Sequence, residues 1–290
     1  MPTLKEYNVK LARLRNTRKM TKSMKLVSAN KLRKAQEAQK NAAVYVARVN
    51  GILGRLEGLG ATSDHELSKP RRRVRTVLAL VFTSDRGLCG GFNSNLNKSV
   101  GRWCGEQTAA QRRIELSCCG RRGYMFFKSR GEIRTHYEHF AARPAYAHAQ
   151  HMGIDLQAAF KSGAVDEVYL AYNAFKGIMT HTPVIEKLLP FEPGRLPAAA
   201  PAARREDWRC EPVAPKLLET LLPWLVNLRV YAALLNNAAG EHAARMTAMD
   251  QATTNADNVI ADLSLRRNRA RQAAITTELI EVVAGAEALR

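Results

Sequence analysis

The sequence predicts an α/β protein in which two long terminal helices frame an α/β middle domain. Three observations carry this. Residues 4–57 hold no proline and no glycine before Gly51, and residues 224–288 hold no proline and glycine only at Gly240 and Gly285. Between these stretches the pattern changes to short β-branched runs separated by turn residues. At a helical rise of about 1.5 Å per residue the two stretches are rods of about 80 and about 95 Å, too long to bury inside a chain of this size. Each must pack on the other, on partner chains, or on both.

The N-terminal rod, residues 1–60, shows less polar residues at helical spacing. Leu4, Tyr7, Leu11 and Leu14 open the stripe, and Met20, Met24 and Val27 continue it after a phase shift. From Ala35 through Gln39, Ala42, Val46, Val49, Leu53 and Leu56 the steps alternate between four and three residues, the spacing of a coiled-coil seam. The seam is thin and the charge dense between residues 15 and 34. Gly51, Gly54, Gly58 and Gly60 end the rod. A polar loop, Thr62 to Lys69, and the Pro70-Arg-Arg-Arg break then mark a boundary.

The middle domain, residues 70–190, reads as alternating strands and helices. Val74–Phe82 is a buried strand ending in the turn-rich run Thr83 to Gly91. A helix is predicted at Asn93–Gln111, a strand at Ile114–Cys119, a short helix near Arg122–Lys128 and a helix at His148–Ser162. Strands follow at Glu167–Tyr172 and about Thr180–Leu188. Such alternation implies βαβ units and a largely parallel sheet. Residues 191–214, rich in Pro and Ala, read as a loop.

The C-terminal rod occupies 215–290, its start blurred by Pro215 and Pro223. Its stripe runs from Leu217, Leu221, Leu225, Leu228, Tyr231 and Leu235. Beyond Gly240 it continues through Met246, Met249, Thr253, Ala256, Ile260, Leu263, Arg267, Ala270, Ala274 and Thr277. So lean a seam leaves two-helix burial marginal, and surrounding protein is expected.

Composition narrows the classes. A hydrophobic share of 46% excludes a disordered chain. No apolar run is expected to reach the roughly 18 residues of a membrane span, and basic residues from Lys5 onward interrupt any signal-peptide core. Retention in a cytoplasmic compartment is the expectation. Cysteines at 89, 104, 118, 119 and 210 form no CxxC pair and read as reduced thiols. The net charge of +19 is uneven. Residues 1–40 carry twelve Lys or Arg against two acids, a net of +10, whereas residues 240–290 carry six Arg against seven acids, a net of −1. The basic rod wants an acidic partner: nucleic acid, an anionic membrane or acidic protein loops.

Few constellations suggest chemistry. Ser84-Asp-Arg-Gly-Leu-Cys-Gly-Gly-Phe-Asn lies between a strand and a helix, where phosphate loops sit, yet matches neither phosphate-binding glycine pattern. A tight turn needing glycine is the plainer reading. The pairs His136/His139 and His148/His151 have metal-ligand spacing but no completing carboxylate or thiol set. No nucleophile, base and orienting group converge on the C-terminal rod. Catalytic, cofactor and metal sites are therefore not expected.

Three segments resemble the gamma subunit of F-type ATP synthase. They are Asn16-Thr-Arg-Lys-Met-Thr-Lys-Ser-Met-Lys-Leu-Val-Ser-Ala-Asn, the glycine turn from Ser84 to Asn93, and Glu241-His-Ala-Ala-Arg-Met-Thr-Ala-Met-Asp-Gln-Ala-Thr-Thr-Asn running on past Asn268-Arg-Ala-Arg-Gln-Ala-Ala-Ile-Thr-Thr-Glu. The resemblance implies that the rods form an antiparallel coiled coil and that the middle domain is Rossmann-like. It implies a central rotor stalk, not itself catalytic, that turns inside three alpha and three beta subunits. The epsilon subunit and a membrane c-ring would be its other partners. It implies a peripheral place on the cytoplasmic side of a bacterial inner membrane. It further implies rotor–stator contact or coupling roles for Met24, Lys22, Lys25, Arg245, Gln272, Thr276 and Glu278. The alternative from another class is a basic coiled-coil nucleic-acid-binding protein.

Overall fold

A computed structural model describes residues 3–58, 65–141, 144–191, 211 and 213–288. The polar loop's first residues, most of the predicted 191–214 loop, and Cys210 lie outside the described residues. The elements are α1 (Leu4–Gly58), β1 (Thr76–Phe82), α2 (Phe92–Ala109), β2 (Arg113–Cys119), α3 (Arg121–Phe127), β3 (Glu132–Tyr137), α4 (Tyr146–Lys161), β4 (Glu167–Phe175), β5 (His181–Leu189) and α5 (Ala214–Ala288). The chain divides into two compact units, residues 29–244 and residues 1–28 with 245–290, so α1 and α5 each contribute to both.

In the larger unit the strand order is β3-β2-β1-β4-β5. β1 through β4 pair in parallel and β5 closes one edge antiparallel to β4. The central strand β1, Thr-Val-Leu-Ala-Leu-Val-Phe, is buried from Val77 to Phe82 because helices cover both faces of the sheet. On one face Ala79, Val81, Leu116 and Cys118 pack with Leu96, Val100 and Phe127 of α2 and α3. On the other, Leu78, Leu80 and Phe82 pack with Met152 and Leu156 of α4 and Val226 and Val230 of α5. The alternating directions of β1 side chains thus serve two cores. The sequence around His136 and Tyr137 reads as a strand or a loop; it is the strand β3, Glu-Ile-Arg-Thr-His-Tyr, which at the sheet edge carries polar residues and needs only one buried face.

Between Leu218 and Ala244, α5 is buried nearly all round. One side faces the sheet, and another carries Leu218, Leu222, Leu225 and Leu228 against Val49 and Leu53 of α1. Gln157 of α4 donates to both the Pro223 carbonyl (3.1 Å) and Asn227 Oδ1 (3.0 Å). Pro223 does not end the helix: α5 runs through it from Ala214. The expectation that no segment is apolar enough to span a membrane needs correction. Within Lys216–Ala286 an 18-residue window reaches a mean hydropathy of 1.3, but 50% of it is buried in protein. Alanine and leucine at consecutive positions of a core helix produce that value.

The glycine turn after β1 is a pinned strand-to-helix connection. Asn93 accepts the Ser84 N–H at Oδ1 (2.9 Å) and donates from Nδ2 to Ser84 Oγ (2.7 Å) and Cys89 Sγ (3.2 Å). Leu88 and Gly90 take φ of 64° and 56°. The web sets Cys89 and Phe92 beside Ala244. Phe92 lies so close to Gly240 that a Cβ there would meet its ring at 3.0 Å. The motif joins the sheet to α5.

Candidate functional site

The smaller unit holds the start of α1 and the end of α5, and all seven sequence-predicted site residues belong to it. Three cross-helix contacts set the register. Arg18 Nε meets Asp257 Oδ1 at 2.6 Å, Thr21 Oγ1 meets Thr253 Oγ1 at 2.7 Å, and Lys25 Nζ meets Asp250 Oδ1 at 2.6 Å. Rising numbers in α1 meet falling numbers in α5, so the helices are antiparallel.

These contacts correct the phase shift read at Met20. Met20 is 65% exposed and Val27 is 55% exposed, whereas Thr21 and Ser28 are buried. The four-and-three alternation runs unbroken from Leu11 and Leu14 through Arg18, Thr21, Lys25 and Ser28 to Leu32, Ala35 and Gln39. The seam does not shift; it turns polar. A hydrophobic stripe is a poor guide there, since the seam positions carry hydroxyls and charges whose partners stand on the other helix. Along α5 the predicted seam from Met249 through Thr253, Ala256, Ile260, Leu263, Arg267, Ala270 and Ala274 is fully or partly buried at every position. Thr277 is exposed.

Asp250 and Asp257 were not singled out from the sequence. They sit four residues below the buried or half-buried Met246 and Thr253, and their carboxylates answer the basic run of α1. Thr253 Oγ1 donates to the Met249 carbonyl at 2.7 Å, which leaves it to accept from Thr21 Oγ1. Both ion pairs are half-exposed and belong to the weak class of surface pairs.

The structure separates the seven candidates into three groups. Lys25 is held on the polar seam by Asp250, Met24 is half-buried beside that seam, and Lys22 is exposed. Arg245 is buried, at 9% exposure. Gln272, Thr276 and Glu278 are exposed, and Thr276 Oγ1 donates to the Gln272 carbonyl at 2.9 Å. Continuing the register, Leu4 falls opposite Arg271, so residues beyond it extend past the first turn of α1. There Ile275, Leu279, Ile280, Val282 and Val283 are between 48% and 69% exposed. A run of large apolar side chains left in solvent marks a surface that expects protein around it.

Elsewhere two of the four sequence-noted histidines stack on aromatic rings. His136 stacks on Tyr124 (centroids 4.1 Å apart) and His148 on Phe140 (4.3 Å). Among the described residues no group of three or more His, Cys, Asp or Glu is placed to hold a metal. Burial pushes the Cys104 and Cys118 thiols up to about 11 and about 12.

An α/β domain joined to long terminal helices, whose ends pair through polar contacts and leave an apolar tail, defines a class of α/β proteins with a paired-helix extension. A family model described as ATP synthase matches residues 3–289. An ATP synthase gamma chain from Anaeromyxobacter sp. (strain K) is 43% identical over 294 residues, with 100% of both chains covered. One from Geobacter sp. (strain M21) is 40% identical over 290 residues, again with 100% of both covered. The fold is similar to a chain in the central stalk and c-ring structure of Tetrahymena thermophila mitochondrial ATP synthase. Their TM-score is 0.59 at 24% identity, covering 80% of this chain and 99% of that one. A chain of the Euglena gracilis mitochondrial ATP synthase gives a TM-score of 0.66 at 17% identity, covering 99% and 94%. The chain belongs to the ATP synthase gamma chain family.

Proposed function

We propose that the chain is the central rotor stalk of an F-type ATP synthase, coupling ion-driven rotation of a membrane ring to ATP synthesis in a collar of three alpha and three beta subunits. Full-length identity of 43% to a relative named ATP synthase gamma chain carries this reading. The complex is membrane-bound. In our reading the chain meets the membrane only through the c-ring, on the cytoplasmic side of a bacterial inner membrane. Residues 1–60 and 215–290 form the shaft, 70–190 the Rossmann-like domain that engages the epsilon subunit and the ring, and 191–214 the connection between them. No catalytic residue or cofactor is assigned to this chain.

The physical features fit a turning part. A shaft that rotates in a sleeve needs contacts shallow enough to break at each step, and exposed charges at about 0–1 kcal/mol per pair supply them. To drive partners through different states the shaft must bind those states unequally. The two helices present different surfaces: the 1–40 stretch carries a net +10 and the 240–290 stretch a net −1. We assign rotor–stator contact and coupling to Met24, Lys22, Arg245, Gln272, Thr276 and Glu278. Lys25 acts with Asp250, which holds its ammonium on the seam. The apolar side chains from Ile275 to Val283 supply the bearing surface of the tail.

The nucleic-acid alternative finds no support. Arg18 and Lys25, two cations of the basic run on which it rests, already face Asp257 and Asp250.

The test is a mild-detergent pull-down of the tagged chain from its own cells, with partner stoichiometry read by mass spectrometry. Three alpha and three beta subunits per copy are expected. Recovery of the chain alone, or with nucleic acid, contradicts the proposal.

A further inference from the structure

A cavity of about 570 Å³ opens between α2, β2 and α3, in the larger unit. Its volume lies in the range of small-molecule sites. Asn97, Gly101, Cys104 and Thr108 line it from one face of α2, at steps of four, three and four. Ile114, Leu116, Phe126 and Phe127 give it an apolar floor. Its charged lining residues are all cations, with no carboxylate among them.

The four cations are not equivalent. Arg113 is committed to Glu132, at 2.6 Å, and Arg112 to Gln107 and Glu167, at 2.9 and 3.5 Å. Lys98 and Arg130 have no carboxylate partner among the described residues. Arg130 is held in place: Nη1 donates to the Phe126 carbonyl at 3.0 Å and the guanidinium lies 4.2 Å over the Phe126 ring. That leaves its remaining N–H groups available to an anion. Burial holds the Cys104 thiol neutral, with its pKa raised to about 11, so it offers no competing charge.

One further feature asks for a ligand. Asn97 is 4% exposed, and its Oδ1 has no hydrogen-bond donor among the described residues, which a buried acceptor normally finds. Gly101 stands in mid-helix at negative φ, and a Cβ built there meets nothing within 4 Å. Glycine weakens a helix interior relative to alanine, and here neither backbone conformation nor a close neighbour requires it. It lines the cavity at an exposed position, so a side chain there would extend into open space.

We propose that this cavity binds a small amphipathic anion: a flat or chain-like apolar body with a carboxylate at one end and a hydroxyl donor. The body lies on Ile114, Leu116 and Phe127, the carboxylate meets Lys98 and Arg130, and the hydroxyl satisfies Asn97.

The test uses the full-length chain and the fluorescent probe 6-hydroxy-2-naphthoate, followed by anisotropy. The expected result is saturable binding, weakened roughly tenfold in the K98Q/R130Q double variant because a charge-assisted contact is lost. Gly101→Leu, which fills the open space on α2, abolishes binding while circular dichroism stays unchanged. The uncharged 6-hydroxy-2-naphthamide binds as weakly to the native chain as the naphthoate binds to K98Q/R130Q. Absence of saturable binding to the native chain overturns the proposal. So does equal binding by K98Q/R130Q, by folded Gly101→Leu, or by the amide. If Gly101→Leu fails to fold, the charge variant and the amide decide.

Discussion

Thr21 and Thr253 share a 2.7 Å hydrogen bond at a position where two-helix seams ordinarily bury leucine or isoleucine. It is the centre of three successive polar contacts, flanked by Arg18–Asp257 and Lys25–Asp250. Polar groups on a seam fix the register of two helices at a cost in stability. The stretch of α1 that holds Met24 and Lys22, to which we assign coupling roles, is therefore one whose pairing rests little on apolar burial.

Replacing both hydroxyls tests that trade. Thr21→Val alone should lower stability by about 1 kcal/mol, since a partner loses its hydrogen bond. The Thr21→Val, Thr253→Val double variant should unfold at the native temperature or above it, because two apolar groups of matching shape replace a buried polar pair. Thermal unfolding followed by circular dichroism reads both. A double variant less stable than either single variant contradicts the seam assignment.

The Lys25–Asp250 pair should couple weakly. With side chains 39% and 55% exposed, a double-mutant cycle to alanine should give an interaction of about 0.2–1 kcal/mol at low salt. It should fade when the Debye length falls to about 3 Å at 1 M salt. Denaturant unfolding at both salt concentrations gives the number.

Met24 is half-buried beside these contacts, with Lys22 exposed nearby. Met24→Lys should leave the fold intact and lower ATP-driven ion pumping several-fold more than ATP hydrolysis in the assembled complex. Equal loss of pumping and hydrolysis, or no loss, argues against a coupling role. Alanine at Gln272, Thr276 and Glu278 together should act in the same direction without lowering the unfolding temperature, as all are exposed.

In the sheet domain, Gly153 of α4 lies against α5 so closely that a Cβ would stand 2.0 Å from Asn227 Oδ1. Gly153→Ala should cost about 1–3 kcal/mol, the usual penalty of overpacking. Adding Asn227→Ala relieves the clash but strips Gln157 of one acceptor, so rescue should be partial.

Alkaline pH should loosen the same domain. Burial raises the Cys104 and Cys118 thiols to about 11 and about 12, against the ordinary 9.0. Between those limits the unfolded chain releases protons that the folded chain keeps, so stability falls as pH rises above 9. The unfolding temperature should drop progressively from pH 8 to pH 11, and less steeply in Cys118→Ala.

How much of this was legible depended on what each position had to bury. The α5 seam from Met249 to Ala274 could be read because its residues are mostly small or apolar where α1 approaches. The α1 seam could not be read between Met20 and Val27. Two exposed apolar side chains there outweighed Thr21 and Lys25, whose partners lie more than two hundred residues away in sequence, and the buried Ser28. β1 announced itself by seven consecutive strand-forming residues, whereas β3 at the sheet edge mixed Glu, Arg and His into its six. The glycine turn offered two readings. The Asn93 web, which binds Ser84 and Cys89 at once, depends on side-chain geometry that spacing does not reveal.

The most direct test of the central claim is rotation. The α3β3 collar would be assembled with this chain and fixed to a surface, with a bead attached through an added cysteine on the exposed α2 residue Arg102. Stepwise, one-directional turning of the bead on ATP addition is the predicted result. A collar that hydrolyses ATP with the chain bound while the bead shows only Brownian motion would contradict the assignment of this chain as the rotor stalk.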